Sequence, residues 1–262
     1  MTSSGTANAA SQSSASGAIK VPAVTALFWA TKILTTGMGE TTSDYLVGAM
    51  NPKIAVLGGA ASLVAALLVQ WLWPRFHAPI YWGAVLMVGI FGTMAADVTH
   101  RVIGVPYSVS SLAFALGLAG AFWLWQKSEG TLSIHSVRGR RREAFYWAVV
   151  LLTFALGTAL GDLSAHSWGL GYFPSALLYG LLILLPLIAY RRFGLGEIAA
   201  FWCGYVITRP LGASFADWFG APVERGGIGY GFGPVSAVLF VIFVALVAYV
   251  TLKGDGMEHS AR

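Results

Sequence analysis

The sequence predicts an all-α integral membrane protein, with eight transmembrane helices arranged as four parallel two-helix repeats. Three observations carry that reading. Of the 262 residues, 56% are hydrophobic and only 10% charged, and the mean hydropathy is +0.70, whereas soluble domains average about 45–50% apolar and about 25% charged residues. Apolar runs reach the roughly 20 residues that a helix needs to cross about 30 Å of hydrocarbon, without the short alternating strands of a membrane barrel. A motif, W-x9-G-x4-D, recurs four times along the chain.

Residues 1–20 begin "MTSSGTANAASQSSASGA", small and polar, with neither the basic stretch nor the apolar core of a signal peptide, and read as a disordered tail. The membrane domain covers 21–252, with spans at about 21–47, 54–73, 79–99, 107–126, 146–166, 173–190, 196–219 and 233–252. The even-numbered spans open near Pro52, Pro106, Pro174 and Pro234, as expected where proline occupies the first turn of a helix. The two-helix units are then 21–75, 76–127, 141–192 and 195–252, with a basic inner loop at 128–140, adjoining "RGRRRE", and a C-terminal tail at 253–262.

An even number of spans puts both termini on one side. With that side cytoplasmic, 11 of the 16 Lys and Arg fall in inner segments, three (Lys53, Arg101, Arg225) in outer loops and two (Lys32, Arg209) inside spans. This is the positive-inside asymmetry, so the basic excess reports topology and no nucleic-acid partner is expected. The lone Cys203, beside Trp202, reads as a small buried hydrophobe.

The odd-numbered spans align without a gap: "WATKILTTGMGETTSD" from Trp29, "WGAVLMVGIFGTMAAD" from Trp82, "WAVVLLTFALGTALGD" from Trp147 and "WCGYVITRPLGASFAD" from Trp202. The shared glycines are Gly39, Gly92, Gly157 and Gly212, and the shared acids Asp44, Asp97, Asp162 and Asp217. Small residues let membrane helices approach closely, so the glycines read as packing contacts. The tryptophans read as interfacial anchors. Four tandem units of this kind resemble a family of bacterial "membrane-anchored" proteins of unknown function. The likeness covers roughly 21–252 and is most typical in "VPAVTALFWATKILTTGMGETTSD". That resemblance implies a bacterial inner-membrane protein with four repeats, and no activity.

Residues four apart share a helix face, which makes Lys32, Thr36, Glu40 and Asp44 one stripe. The last two stripe positions are Thr93 and Asp97, Thr158 and Asp162, and Ala213 and Asp217 in the other units. An Asp at the centre of a membrane helix costs about 2.5–3.5 kcal/mol to insert. Bound cations, retained protons or water would offset that cost.

The reading favoured by these residues is a small transporter or exporter of inorganic cations or other small ions through an acid-lined pathway. Glu40 and Asp44 are then principal ligands or proton carriers, Asp97, Asp162 and Asp217 supporting ligands, and Lys32 and Arg209 counter-ions. The alternative is a non-transporting sensor or assembly module in which the aspartates cap helix ends. His100 and His166 follow Asp97 and Asp162 in D-x2-H and D-x3-H pairs, but the other two units lack an equivalent, so the pairs read as loop histidines and not as a metal site. No nucleotide-binding, nucleophile-elbow or zinc-protease pattern occurs. The expectation is thus no enzyme and no cofactor, with the lipid bilayer and a small cation or proton as partners.

Overall fold

The computed structural model describes the backbone of residues 19–260 and the side chains of residues 19–253. Most of the tail expected at 1–20 lies outside them. All regular structure among the described residues is helical. Local chemistry sets the boundaries. The Thr25 hydroxyl accepts the Phe28 N–H at 3.2 Å to open α1 (Ala26–Ala49), and Asn51 accepts the Lys53 N–H at 3.0 Å ahead of α2 (Pro52–Leu72). Then come α3 (Ala78–Asp97), α4 (Tyr107–Glu129), which ends on Gly130 at φ +72°, and α5 (Arg140–Asp162). α6 (Tyr172–Leu182) and α7 (Leu184–Phe193) form one rod interrupted at Ile183, because Pro186 cannot donate to the Leu182 carbonyl and its ring crowds it. α8 (Glu197–Gly220) and α9 (Phe232–Ser260) complete the chain, so the C-terminal tail expected at 253–262 is helical as far as Ser260. α3 and α5 each continue into a single π turn, Val98–Val102 and Leu163–Ser167, directly after the motif aspartate.

Six of the eight expected spans are long and apolar enough to cross a membrane. The other two, α1 and α8, have 24 residues each but are too polar to meet that standard. Their polar residues are covered by protein: Thr31, Lys32, Thr35, Thr36, Glu40, Thr208 and Arg209 are all buried. The outer helices show the opposite pattern, with Leu57 on α2, Leu116 on α4 and Val241 on α9 exposed. A polar interior inside an apolar exterior is the reverse of a soluble domain, and it suits a lipid surround.

The motif helices α1, α3, α5 and α8 pack in a closed ring in that order, and each outer helix lies against the motif helix of the following unit: α2 on α3, α4 on α5, α6 on α8, and α9 back on α1. One motif glycine sits at each junction. A Cβ on Gly39 would come within 2.9 Å of the Gly89 backbone, and one on Gly92 within 2.7 Å of Phe154. Gly157 faces Arg209 and Pro210, and Gly212 faces Thr36.

The tryptophans differ from the expected interfacial anchors. Trp82, Trp147 and Trp202 are buried in an aromatic layer where Tyr81 meets Trp147 at 5.7 Å and Tyr146 meets Trp202 at 6.2 Å. Convergence of the four helices at this end turns the rings on one another instead of on lipid. Cys203 also departs from expectation: it is exposed, because one residue of helical rotation after the inward Trp202 carries it to the outer face. At the same end Lys20 is fixed by Glu143 Oε2 at 2.8 Å and the Trp71 carbonyl at 2.9 Å, which ties the chain ahead of α1 to α2 and α5.

Replacing Gly157 by leucine is expected to destabilise the protein by about 1–3 kcal/mol through overpacking. Gly120→Leu, at a site with no atom within 4 Å of the added Cβ, is the control expected to be neutral. Unfolding in detergent micelles measures both.

Candidate functional site

Because the ring holds its four helices in register, the stripe positions stack in layers along its axis. Three residues after each tryptophan stand Lys32, Val85, Val150 and Tyr205; seven after, Thr36, Gly89, Phe154 and Arg209; eleven after, Glu40, Thr93, Thr158 and Ala213; fifteen after, the four aspartates. Each layer combines different residue types, so the axis is chemically asymmetric although the backbone repeats.

Arg209 is wholly buried and reaches one turn along the axis, into the place that Ala213 leaves small. Its Nη2 donates to Glu40 Oε2 at 2.7 Å, to Thr158 Oγ1 at 2.8 Å and to Thr93 Oγ1, and its Nη1 donates to the Thr36 carbonyl at 3.1 Å. The two threonine hydroxyls in turn donate to Glu40 Oε2, at 3.2 Å and 3.3 Å. All four motif helices therefore contribute to one ion-pair network. Further hydrogen bonds of this kind offset the desolvation of a buried pair, while Arg209 Nε is buried without a partner among the described residues. Glu40 Oε2 takes every donor, and Glu40 Oε1 takes none among the described residues.

Lys32, expected as a counter-ion, meets no carboxylate. Its Nζ lies 4.3 Å from the centre of the Phe154 ring and 4.2 Å from that of Tyr205, wholly buried and without a hydrogen-bond partner. Among the described residues it is the faces of these two aromatic rings that attract the ammonium group.

On the other side of the Arg209 network, a chamber of about 250 Å³ is lined by Glu40, Asp44, Asp162 and Asp217 together with Arg101, His166, Tyr172 and Arg225. One carboxylate oxygen each from Glu40, Asp44 and Asp217 lie within 4.8 Å of one another. Asp97 is turned aside, 3.5 Å from Arg101, whose other nitrogen is 4.0 Å from Asp44. Among the described residues none of the motif aspartates caps a helix: Asp97 and Asp162 make no capping bond at the π turns that follow them, and neither they nor the other two aspartates accept a side-chain hydrogen bond. Among the described residues neither His pair belongs to a group of three metal-ligating side chains. His100 Nδ1 is 2.7 Å from the Val105 carbonyl and its ring stacks on Tyr107, while His166 is 3.9 Å from Asp162.

A family model described as "Repeat of Unknown Function (DUF347)" matches residues 80–131, 145–194 and 200–254, more than half of the chain. The chain belongs to this family. Each DUF347 match takes in one motif helix and the outer helix after it: α3 with α4, α5 with α6 and α7, α8 with α9. No curated protein and no solved structure matches the chain.

Of the residues the sequence singled out, the structure brings Glu40, Asp44, Asp162, Asp217, Arg209, Thr36, Thr93 and Thr158 into one continuous site. Phe154 and Tyr205 were missed, although extending the stripe from the first unit to positions seven and three in the later ones points to both. Arg101 also carried a signal, lying four residues beyond Asp97.

Removing one partner of the Glu40–Arg209 pair leaves the other charge buried and uncompensated. Glu40→Gln is expected to destabilise by about 3–5 kcal/mol, and adding Arg209→Met to recover most of that loss. A double-mutant cycle by chemical unfolding in detergent checks the coupling.

Proposed function

We propose that this protein is an eight-pass protein of the bacterial inner membrane that moves small inorganic cations or protons along the axis of its four motif helices. In this reading α1 and α2 are a first, divergent repeat ahead of the three that the family model matches. The motif helices all cross in one direction, and both termini are cytoplasmic. The grouping of the four tryptophans at one end of the ring and of the four aspartates at the other supports a common direction. The concentration of Lys and Arg in segments at the tryptophan end supports the orientation. Crossing by α1 and α8 is supported by the burial of their polar residues, which keeps those residues from lipid.

The observation that carries the transport reading is the acid-lined chamber of about 250 Å³ whose floor is the buried Glu40–Arg209 pair on the ring axis. A merely architectural aspartate would cap its own helix, and these do not. The Arg209 guanidinium fills the axis beneath the chamber, so passage requires the pair to open. A proton on Glu40, or a cation beside it, competes with Arg209 for the carboxylate and supplies the means of opening. Lys32, on the far side of Arg209, is a further positive group on the axis.

Reconstitution into proteoliposomes with ion-sensitive and pH-sensitive dyes tests this. Asp44→Asn is expected to reduce cation-driven flux to the level of empty vesicles while the unfolding temperature is unchanged. Flux equal to that of the unmodified protein overturns the reading.

A further inference from the structure

We infer that Glu40, Asp44 and Asp217 form a binding site for a single hard divalent cation. The site deepens the transport reading, on which it rests for its purpose but not for its test. Proximity of three acids does not by itself make a site, and the weight falls on how their oxygens are left. Asp217 is 8% exposed, lines the chamber, and has no hydrogen-bond or ion-pair partner among the described residues. Glu40 directs all of its donors to Oε2, which leaves Oε1 unmatched on a side chain 5% exposed. Asp44 Oδ1 is buried without a hydrogen bond, with the Arg101 guanidinium 4.0 Å away.

The dimensions suit an ion. Oxygen ligands at about 2.3–2.6 Å from a calcium-like cation stand up to about 5 Å apart across it, and the three carboxylates fall within 4.8 Å of one another. Around the chamber and its floor, Glu40, Asp44, Asp97, Asp162 and Asp217 stand against Arg101, Arg209 and Arg225, a formal charge of −2 that one divalent cation neutralises. The donor set is all oxygen, which favours hard cations over thiophilic ones. A chamber of about 250 Å³ has room for waters to complete the coordination shell. Arg209 then sets the affinity: the ion shares Glu40 with the guanidinium, so it is bound weakly enough to leave.

The test uses Mn²⁺ as the probe, with loss of the free-ion electron paramagnetic resonance signal in titrations of the full-length protein in detergent micelles. The expected result is one saturable site per chain, with Mn²⁺ displaced by Mg²⁺ or Ca²⁺. Asp217→Asn should lower Mn²⁺ affinity by about 10-fold or more, at least the loss seen when a supporting group of a metal site is removed. Its unfolding temperature should not change, because Asp217 gives up no protein partner. Asp97→Asn should leave Mn²⁺ affinity as it was. Absence of saturable binding, or equal weakening by Asp97→Asn and Asp217→Asn, overturns the site. Saturable binding with no flux of cations or protons in proteoliposomes supports the site and overturns transport. Flux without saturable binding overturns the site and leaves the transport reading standing.

Discussion

A guanidinium with no exposed surface, bonded to a carboxylate from another helix at the centre of a bundle with an apolar exterior, is the contact to which the other features answer. Arg209 and Glu40 are separated by 169 residues and belong to the last and the first motif helix. Neither helix is apolar enough to meet the standard of a membrane span alone, and each carries a charge that the other neutralises. The ring therefore has to close, last unit on first, before either charge is compensated. The packing of α9 against α1 covers that closure from outside.

Close approach makes the pair possible. With Gly157 and Gly212 facing Arg209 and Thr36, α5, α8 and α1 come near enough for one guanidinium to reach groups on the other three motif helices. Any larger residue at those junctions would widen the ring, leaving Thr93 and Thr158 too far from Arg209 to complete its hydrogen bonds. Small residues at the contacts and polar ones on the axis thus act together, since van der Waals contact and interhelical hydrogen bonds are what hold helices to one another in lipid. Asymmetry follows from the same geometry: Ala213 opens the space that Arg209 fills, and Lys32 has only rings beside it because the surrounding layers are Val85, Val150, Phe154 and Tyr205.

Within this chain the arrangement separates what the four units share from what is particular to one of them. Each repeat supplies a tryptophan to the aromatic layer, a glycine to a junction and an aspartate to the open end. Lys32, Glu40 and Arg209 occur once each, so the chemistry along the axis belongs to the assembled ring and not to any single repeat. The stripe from Lys32 to Asp44 lies outside the stretches that the family model matches, whereas Arg209 lies inside one.

The helical class, the membrane setting and the motif register were legible in the sequence because each depends on composition or on spacing along one chain. A 3.6-residue period makes Glu40 and Asp44 share a face whatever their neighbours are, and apolar length alone marks α2, α4 and α9. Which partner each charge meets was not legible. Lys32 and Arg209 look equivalent as cations inside spans, yet one finds a carboxylate and the other two aromatic rings, since their layers receive different residues from three other helices. The tryptophans and Cys203 were misplaced for the same reason: hydropathy says that a residue avoids water, but whether it faces lipid or another helix is set by where the helices converge. Sequence by itself determined the elements and their faces; the closed ring, with glycine-narrowed junctions, decided which faces became an acid chamber and which became its floor.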